Sequence, residues 1–121
     1  MTELKLGRRT IGPASSPYVI AEIGVNHGGS IELAKQLIES AARGGADAAK
    51  FQTYKAEKLV IRDSPAYWDT SLEPTATQFE LFSRLDAFGP RDYEVLADHC
   101  QHVGIDFLST PFDLEAVDFL D

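Results

Sequence analysis

The stretch YVIAEIGVNH, residues 18–27, shows how this chain folds, and two later stretches repeat its pattern: AAKFQT at residues 48–53 and IDFLSTPF at residues 105–112. Each is a short apolar run that ends in polar residues, and segments with helical spacing lie between them. Strands that alternate with helices and carry chemistry at their carboxyl ends are typical of (β/α) barrels and open α/β sheets. A charge inside such a strand is costly unless it is paired or lines a solvated pocket, so Glu22 and Lys50 are the most informative residues.

Composition excludes several classes of protein. The 121 residues carry a net charge of −8, which argues against nucleic acid or an anionic membrane as the main partner. The single cysteine, Cys100, allows no internal disulfide, as expected in a reducing compartment. The first residues lack the apolar core of a signal peptide, and no apolar run approaches the roughly 18 residues of a membrane span. We therefore expect a cytoplasmic protein.

The pattern predicts a β-hairpin and linker at residues 1–17, followed by three βα units at residues 18–121, the third incomplete. Gly7-Arg8 lies between two short alternating runs and favours a type II′ turn. The strands are predicted at about residues 18–23, 46–52 and 105–109. Three parallel strands would leave an open apolar edge, and a complete barrel needs about 250 residues. The predicted fold class is therefore α/β, as the amino-terminal portion of a TIM (β/α)₈ barrel.

Local signals predict where the helices begin and end. Ser30 is a predicted N-cap, and Gly44-Gly45 ends that helix. A later helix begins near Pro90 and ends at Gly104, and Asp113 caps the last one.

The connection after the second strand is less regular. Residues 55–73 contain Pro65 and Tyr67-Trp68 among polar residues, which predicts an ordered loop. Residues 77–88 predict a short helix whose inward side carries Phe79, Phe82 and Leu85.

Glu22 and Lys50 are the main candidates for chemistry. At the mouth of a barrel, Glu22 would act as a general acid, a general base or an acceptor for a substrate hydroxyl. Lys50 would bind an anion such as phosphate or carboxylate, or would act as an amine nucleophile, and we favour anion binding. The alternative for both residues is an ion pair with a purely structural role.

Two more polar residues lie at the carboxyl ends of the second and third predicted strands. Gln52 lies two residues after Lys50, hence on the same face of the strand, and would hydrogen-bond a polyol substrate. Thr110, within Ser109-Thr110-Pro111, precedes a helix amino terminus where hydroxyls and free N–H groups favour an anion. Simple exposure of Gln52, and simple helix capping by the Thr110 segment, are the alternatives.

The three histidines do not indicate a metal site. We interpret His27 as a loop histidine rather than a ligand. His99 and His102 are three residues apart on a helix, a spacing compatible with metal binding, but the sequence offers no third ligand nearby, so we interpret them as solvated surface. Cys100 shares an apolar helix face with Leu96 and is interpreted as inert core.

Taken together, three motifs resemble the N-acetylneuraminate (sialic acid) synthase family, with its pseudaminic, legionaminic and spore-coat polysaccharide relatives. They are YVIAEIGVNH at residues 18–27, GADAAKFQT at residues 45–53 and FLSTPFD at residues 107–113. The resemblance covers nearly the whole chain and is specific to the family, though not to one sugar.

This resemblance implies a condensation of phosphoenolpyruvate with an N-acyl hexosamine such as N-acetylmannosamine, with release of phosphate. It implies that Glu22 is the active-site carboxylate near the sugar aldehyde, that Lys50 and Thr110 hold phosphoenolpyruvate, and that Gln52 contacts the sugar. It also implies a divalent metal, Mn or Mg, with ligands outside this chain, and a homodimer in the full-length protein. The chain alone is expected to be inactive.

Two other functions remain open at this point. One is another phosphoenolpyruvate-using barrel synthase, of the octulosonate or heptulosonate type. The other is a truncated binding fragment that does not catalyse a reaction.

Overall fold

A computed structural model describes residues 2–121. A β-hairpin comes first, and βα units follow it. The strands are β1 (Leu4–Leu6), β2 (Arg9–Ile11), β3 (Ile20–Gly24), β4 (Ala48–Thr53) and β5 (Asp106–Pro111). The helices are α1 (Ile31–Arg43), α2 (Ala56–Leu59), α3 (Gln78–Leu85), α4 (Pro90–Val103) and α5 (Leu114–Leu120).

The main sheet is parallel, with its strands in the order β3-β4-β5. Glu22 lies opposite Lys50, and Gln52 lies opposite Thr110. The register between β3 and β4 shifts between Glu22 and Gly24, where β3 has a bulge. Each strand begins and ends one or two residues after its predicted position, because hydrogen bonds between strands set these limits and apolar runs do not.

The core lies between one face of this sheet and the helices α1 and α4. Phe51, Ile38 and Leu96 are fully buried there, one from β4 and one from each helix. The Phe51 and Phe107 rings stack with their centroids 5.7 Å apart. Successive strand residues point to opposite faces, so the residues that alternate with Phe51 and Phe107 lie on the face that these helices do not cover.

The predicted helix ends are confirmed where a local signal defines them. The Ser30 side chain accepts a hydrogen bond from the Leu33 N–H at 3.1 Å, and the Asp113 side chain accepts one from the Ala116 N–H at 2.8 Å. Gly104 ends α4 in the left-handed conformation, with φ of 96°. Each of these helix ends depends on contacts within a few residues of the chain, so the packing of distant segments does not change it.

The connection from β4 to α4 differs from the prediction, because the expected loop contains helix α2. The Asp86 carboxylate accepts a hydrogen bond from the Ala56 N–H at 2.7 Å and so holds the start of this short helix. The Lys55 ammonium donates to the Asp86 and Phe88 carbonyls at 2.9 and 3.2 Å. These partners are about thirty residues apart in the chain, so no local pattern predicts the helix.

Helix α3 is shorter than predicted, and its apolar side is only half-buried. Phe82 contacts the edge of the Tyr54 ring, with centroids 5.9 Å apart, and Arg62 stacks over Phe79 at 4.9 Å. The helix therefore packs on its own connecting segment rather than in the main core.

The hairpin β1-β2 packs against the amino ends of β4 and β5. Arg9 of the hairpin pairs with Asp47 at 2.8 Å, just before β4. Tyr18 lies between the hairpin and β3, and its hydroxyl donates to Asp106, the first residue of β5, at 2.6 Å. Burial and the Asp106 carboxylate raise the pKa of Tyr18 to about 12. The Arg8 N–H also donates to Asp106, at 3.1 Å.

The turn of the hairpin requires glycine. Gly7 has a φ of +54°, whereas Arg8 has none in the positive range, since no non-glycine residue among those described has a positive φ. A type II′ turn requires this pattern, with a positive φ only at the first of its two central residues. A Cβ at Gly7 would also overlap the Asp106 carboxylate. We expect Gly7→Ala to lower the free energy of unfolding by about 1–2 kcal/mol, mainly through left-handed strain.

Gly12→Ala provides the matched control for Gly7→Ala. Gly12 has an ordinary φ, and the nearest atom to an added Cβ is Glu3 Cγ at 3.4 Å. Urea unfolding measures both variants. Equal losses in the two would contradict the account of the turn.

Candidate active site

Glu22, Lys50, Gln52 and Thr110 lie on one face of the sheet, the face that α1 and α4 leave uncovered. The pairing of Glu22 with Lys50, and of Gln52 with Thr110, brings their side chains to the same side of neighbouring strands. Glu22 and Lys50 are in mid-strand, whereas Gln52 and Thr110 are near the carboxyl ends of β4 and β5. The sheet therefore brings together all four residues that the sequence singled out.

Glu22 and Lys50 form an ion pair, with Lys50 Nζ 3.0 Å from Glu22 Oε2. The Glu22 side chain is 46% exposed and that of Lys50 is 34% exposed. Solvated pairs of this kind contribute about 0–1 kcal/mol to stability, because water screens both charges. The exposure leaves both groups accessible to a ligand.

The end of β4 is held from the helix side. The Tyr93 hydroxyl donates to the Gln52 carbonyl oxygen at 3.0 Å. This contact uses the Gln52 backbone and leaves its side chain on the opposite face. Tyr93 is buried, and burial raises the pKa of its hydroxyl.

Ser109 does not join Thr110. Its hydroxyl lies 2.6 Å from the Thr53 hydroxyl, and Ser109 is the register partner of Phe51 on the helix-facing side. The sequence grouped Ser109 and Thr110 as one hydroxyl cluster, but strand alternation separates them. Thr110 alone faces the candidate site.

His27 lies in the loop after β3, as predicted, but its side chain is buried and only 2% of the residue is exposed. Its ring stacks on Phe88 with centroids 4.1 Å apart, and its Nδ1 accepts a hydrogen bond from the Gly29 N–H at 3.0 Å. Burial lowers the pKa of His27. The residue therefore holds the loop in place as a neutral imidazole.

The acid sensitivity of the protein is expected to depend on His27. Its imidazole stays neutral in the folded state, whereas the unfolded chain takes up a proton below about pH 6.5, the ordinary value. The stabilisation is thus complete above this pH and is lost as the pH falls below it. The contribution of His27 to the free energy of unfolding therefore changes by at most about 1.4 kcal/mol per pH unit.

Denaturant unfolding between neutral pH and pH 5 measures this slope. His27→Gln should reduce it, and His102→Gln, at an exposed position on α4, should leave it unchanged. A slope that is the same in the His27 variant as in the unmodified protein would contradict the assignment.

The remaining histidines and the cysteine lie away from this face. His99 Nε2 is 3.1 Å from Glu39 Oε1, so it links α4 to α1 rather than being simply solvated as predicted. Cys100 is fully buried, and burial raises the pKa of its thiol to about 12, which agrees with an inert core position. Across residues 2–121, no group of three or more His, Cys, Asp or Glu side chains could hold a metal ion.

Gly24 borders the candidate site, and the sequence reasoning did not single it out. It is buried, it has a φ of +57°, and it follows the bulge in β3 beside Glu22. A glycine inside a strand pattern is a general signal of a bulge or of a close approach to the backbone. The motif Ala21-Glu22-Ile23-Gly24 carried that signal.

Comparison with known proteins identifies relatives for most of the chain. A model of the NeuB family matches residues 37–121. N,N'-diacetyllegionaminic acid synthase of Legionella pneumophila is 38% identical over 116 residues, which cover 94% of this chain and 32% of that protein. N-acetylneuraminate-9-phosphate synthase of Mus musculus is 35% identical over 112 residues, which cover 93% of this chain and 31% of that protein.

Solved structures are similar as well. The N-acetylneuraminic acid synthetase of Leptospira borgpetersenii, crystallised with citrate, matches 98% of this chain and 37% of its own at a TM-score of 0.77 and 30% identity. This similarity confirms the predicted fold class, a hairpin and the first βα units of a barrel. The chain spans about a third of the length of these relatives. No helix among residues 2–121 is long and apolar enough to cross a membrane.

Proposed function

Because this chain belongs to the NeuB family, we propose that it supplies part of the active site of a phosphoenolpyruvate-dependent synthase. In this proposal the complete protein condenses phosphoenolpyruvate with an N-acyl hexosamine such as N-acetylmannosamine and releases phosphate. The names of the relatives support this class of reaction, since they are synthases of legionaminic, neuraminic and pseudaminic acids. We propose that residues 1–121 alone are inactive.

The observation that carries the proposal is the pair of Glu22 and Lys50 on the face of the sheet that α1 and α4 leave uncovered. Charged side chains in an otherwise apolar strand are costly unless they are paired or line a solvated pocket, and their position on this face supports a ligand site. Lys50 is a compact cation that suits a phosphate or carboxylate group of phosphoenolpyruvate. The Thr110 hydroxyl is on the same face and would donate a further hydrogen bond to that anion.

Glu22 and Gln52 would serve the sugar and the proton transfers. The enol carbon of phosphoenolpyruvate bonds to the aldehyde carbon of the open-chain hexosamine, whose oxygen takes up a proton and becomes a hydroxyl. Water then adds at the carbon that still bears the phosphate and loses a proton, and phosphate leaves as that carbon becomes a ketone. Glu22 is placed to accept or deliver a proton in these steps, and Gln52 to hydrogen-bond the sugar.

The divalent metal that the resemblance implies, Mn or Mg, has no site among the described residues. In the proposal its ligands belong to other parts of the protein. We also propose a cytoplasmic location and a homodimeric full-length protein.

A test of the proposal incubates the complete protein with phosphoenolpyruvate and a series of N-acyl hexosamines, with and without a phosphate on the sugar. We expect phosphate release that depends on both substrates, together with a nonulosonic acid product identified by mass spectrometry. Residues 1–121 produced alone should release none.

Two outcomes would contradict the proposal. Phosphoenolpyruvate contributes three carbons, so an octulosonate is made from a pentose and a heptulosonate from a tetrose. Phosphate release with one of these sugars, and none with any hexosamine, would indicate that class instead. Binding of phosphoenolpyruvate without turnover on any aldose would indicate a binding protein that does not catalyse a reaction.

A further inference from the structure

The backbone at Gly24 borders the space between Glu22 and Gln52. A Cβ built on Gly24 would lie 3.3 Å from Glu22 Oε1 and 3.5 Å from Gln52 Nε2. The distance to Gln52 is an ordinary contact, whereas the distance to Oε1 is short for a carbon atom, so the Glu22 carboxylate would have to shift by a few tenths of an ångström to admit a methyl group. The bulge in β3 and the φ of +57° turn this position toward the two side chains.

The two oxygens of Glu22 have different surroundings. Oε2 pairs with Lys50 Nζ at 3.0 Å, and Oε1 faces Gly24. Within the described residues, none donates a hydrogen bond to Oε1. An acceptor at Oε1 and a donor at Gln52 Nε2 thus border the same small space. A sugar hydroxyl can donate to Oε1 and accept from Nε2 at the same time. An ionised phosphate oxygen can only accept, so it does not suit a position beside Oε1.

We propose that Gly24 determines specificity by leaving this space open for a hydroxyl group of the N-acyl hexosamine. The inference rests on the proposed function and assigns the sugar, rather than phosphoenolpyruvate, to the Gly24 side of Glu22. Phosphoenolpyruvate lies on the other side, at Lys50. A side chain at position 24 would therefore interfere with the sugar and leave phosphoenolpyruvate binding intact.

The chain offers a matched control for the substitution Gly24→Ala. Gly28 has the same φ of +57°, but nothing lies within 4 Å of an added Cβ. Gly24→Ala and Gly28→Ala therefore both place alanine at the same positive φ, and only the first brings a methyl group against Glu22 and Gln52. Melting temperatures of both variants establish that the folded states are comparable.

Steady-state kinetics of the complete protein then test the proposal. In Gly24→Ala, we expect the KM for the hexosamine to rise roughly 5- to 150-fold, the usual effect of leaving one hydrogen-bonding group of a site unpaired. The KM for phosphoenolpyruvate should be unchanged, and Gly28→Ala should keep both values. A general loss of stability would not separate the two substrates.

Other results of these measurements would overturn either the role of Gly24 or the proposed function. Equal hexosamine KM values in the two variants would overturn the role of Gly24 and leave the proposed function standing. An unmodified protein with no synthase activity would overturn the proposed function, and this inference with it. If Gly24→Ala does not fold, Gly24→Asn gives the same test, because asparagine tolerates a left-handed conformation better and its side chain also fills the space. An unchanged hexosamine KM in Gly24→Asn would also overturn the proposal.

Discussion

Replacing Glu22 with glutamine in the complete protein is expected to lower the turnover of the proposed synthase reaction by about 10²–10⁴-fold, the usual contribution of a positioned acid or base. Glutamine keeps the shape of the side chain and removes its charge and proton affinity. The stability should change little, because glutamine keeps the shape of the side chain and its amide oxygen can still accept a hydrogen bond from Lys50. Turnover per folded molecule and the melting temperature, measured on the same preparation, check both expectations.

The structural alternative predicts the opposite pattern for Glu22. Removing one partner of a buried ion pair costs about 3–5 kcal/mol, so the melting temperature would fall steeply and the surviving molecules would remain active. Glu115→Gln is the control, since Glu115 pairs with Lys58 between α5 and α2, outside the candidate site. It should resemble the Glu22 variant in stability and retain full turnover.

Replacing Lys50 with alanine is expected to weaken phosphoenolpyruvate binding much more than sugar binding. A charge-assisted contact is typically worth about 1.5–3 kcal/mol, which raises the KM for phosphoenolpyruvate roughly 10- to 150-fold. Lys50→Arg should restore only part of this loss, because the planar guanidinium places its donors differently from a compact ammonium.

Lys58→Ala is the matched control for Lys50→Ala. The two lysine side chains are 34% and 35% exposed, and each pairs with a glutamate. Only Lys50 lies on the uncovered face of the sheet. If the Lys50 variant kept the original KM and turnover with phosphoenolpyruvate, or if both variants lost affinity equally, the role of Lys50 would be wrong.

Local signals in the sequence determined the order of the strands, of every helix except α2, and several helix ends. Ser30 and Asp113 cap their helices through side-chain bonds to backbone N–H groups three residues away, and Gly104 ends α4 in a conformation that glycine adopts readily. The charges inside apolar strands pointed to Glu22 and Lys50 for a similar reason. The cost of such a charge depends on the residue and its immediate pattern, whatever the rest of the fold.

The tertiary structure alone decided which of these residues meet. The β3–β4–β5 register places Glu22 beside Lys50 and turns Ser109 away from Thr110, and the bulge brings Gly24 between Glu22 and Gln52. Burial of His27 against Phe88 depends on a segment about sixty residues later in the chain. Such contacts join distant parts of the chain, and their energy depends on how the strands and helices pack. The sequence therefore determined the kinds of residue available to the site, and packing of the sheet decided their arrangement.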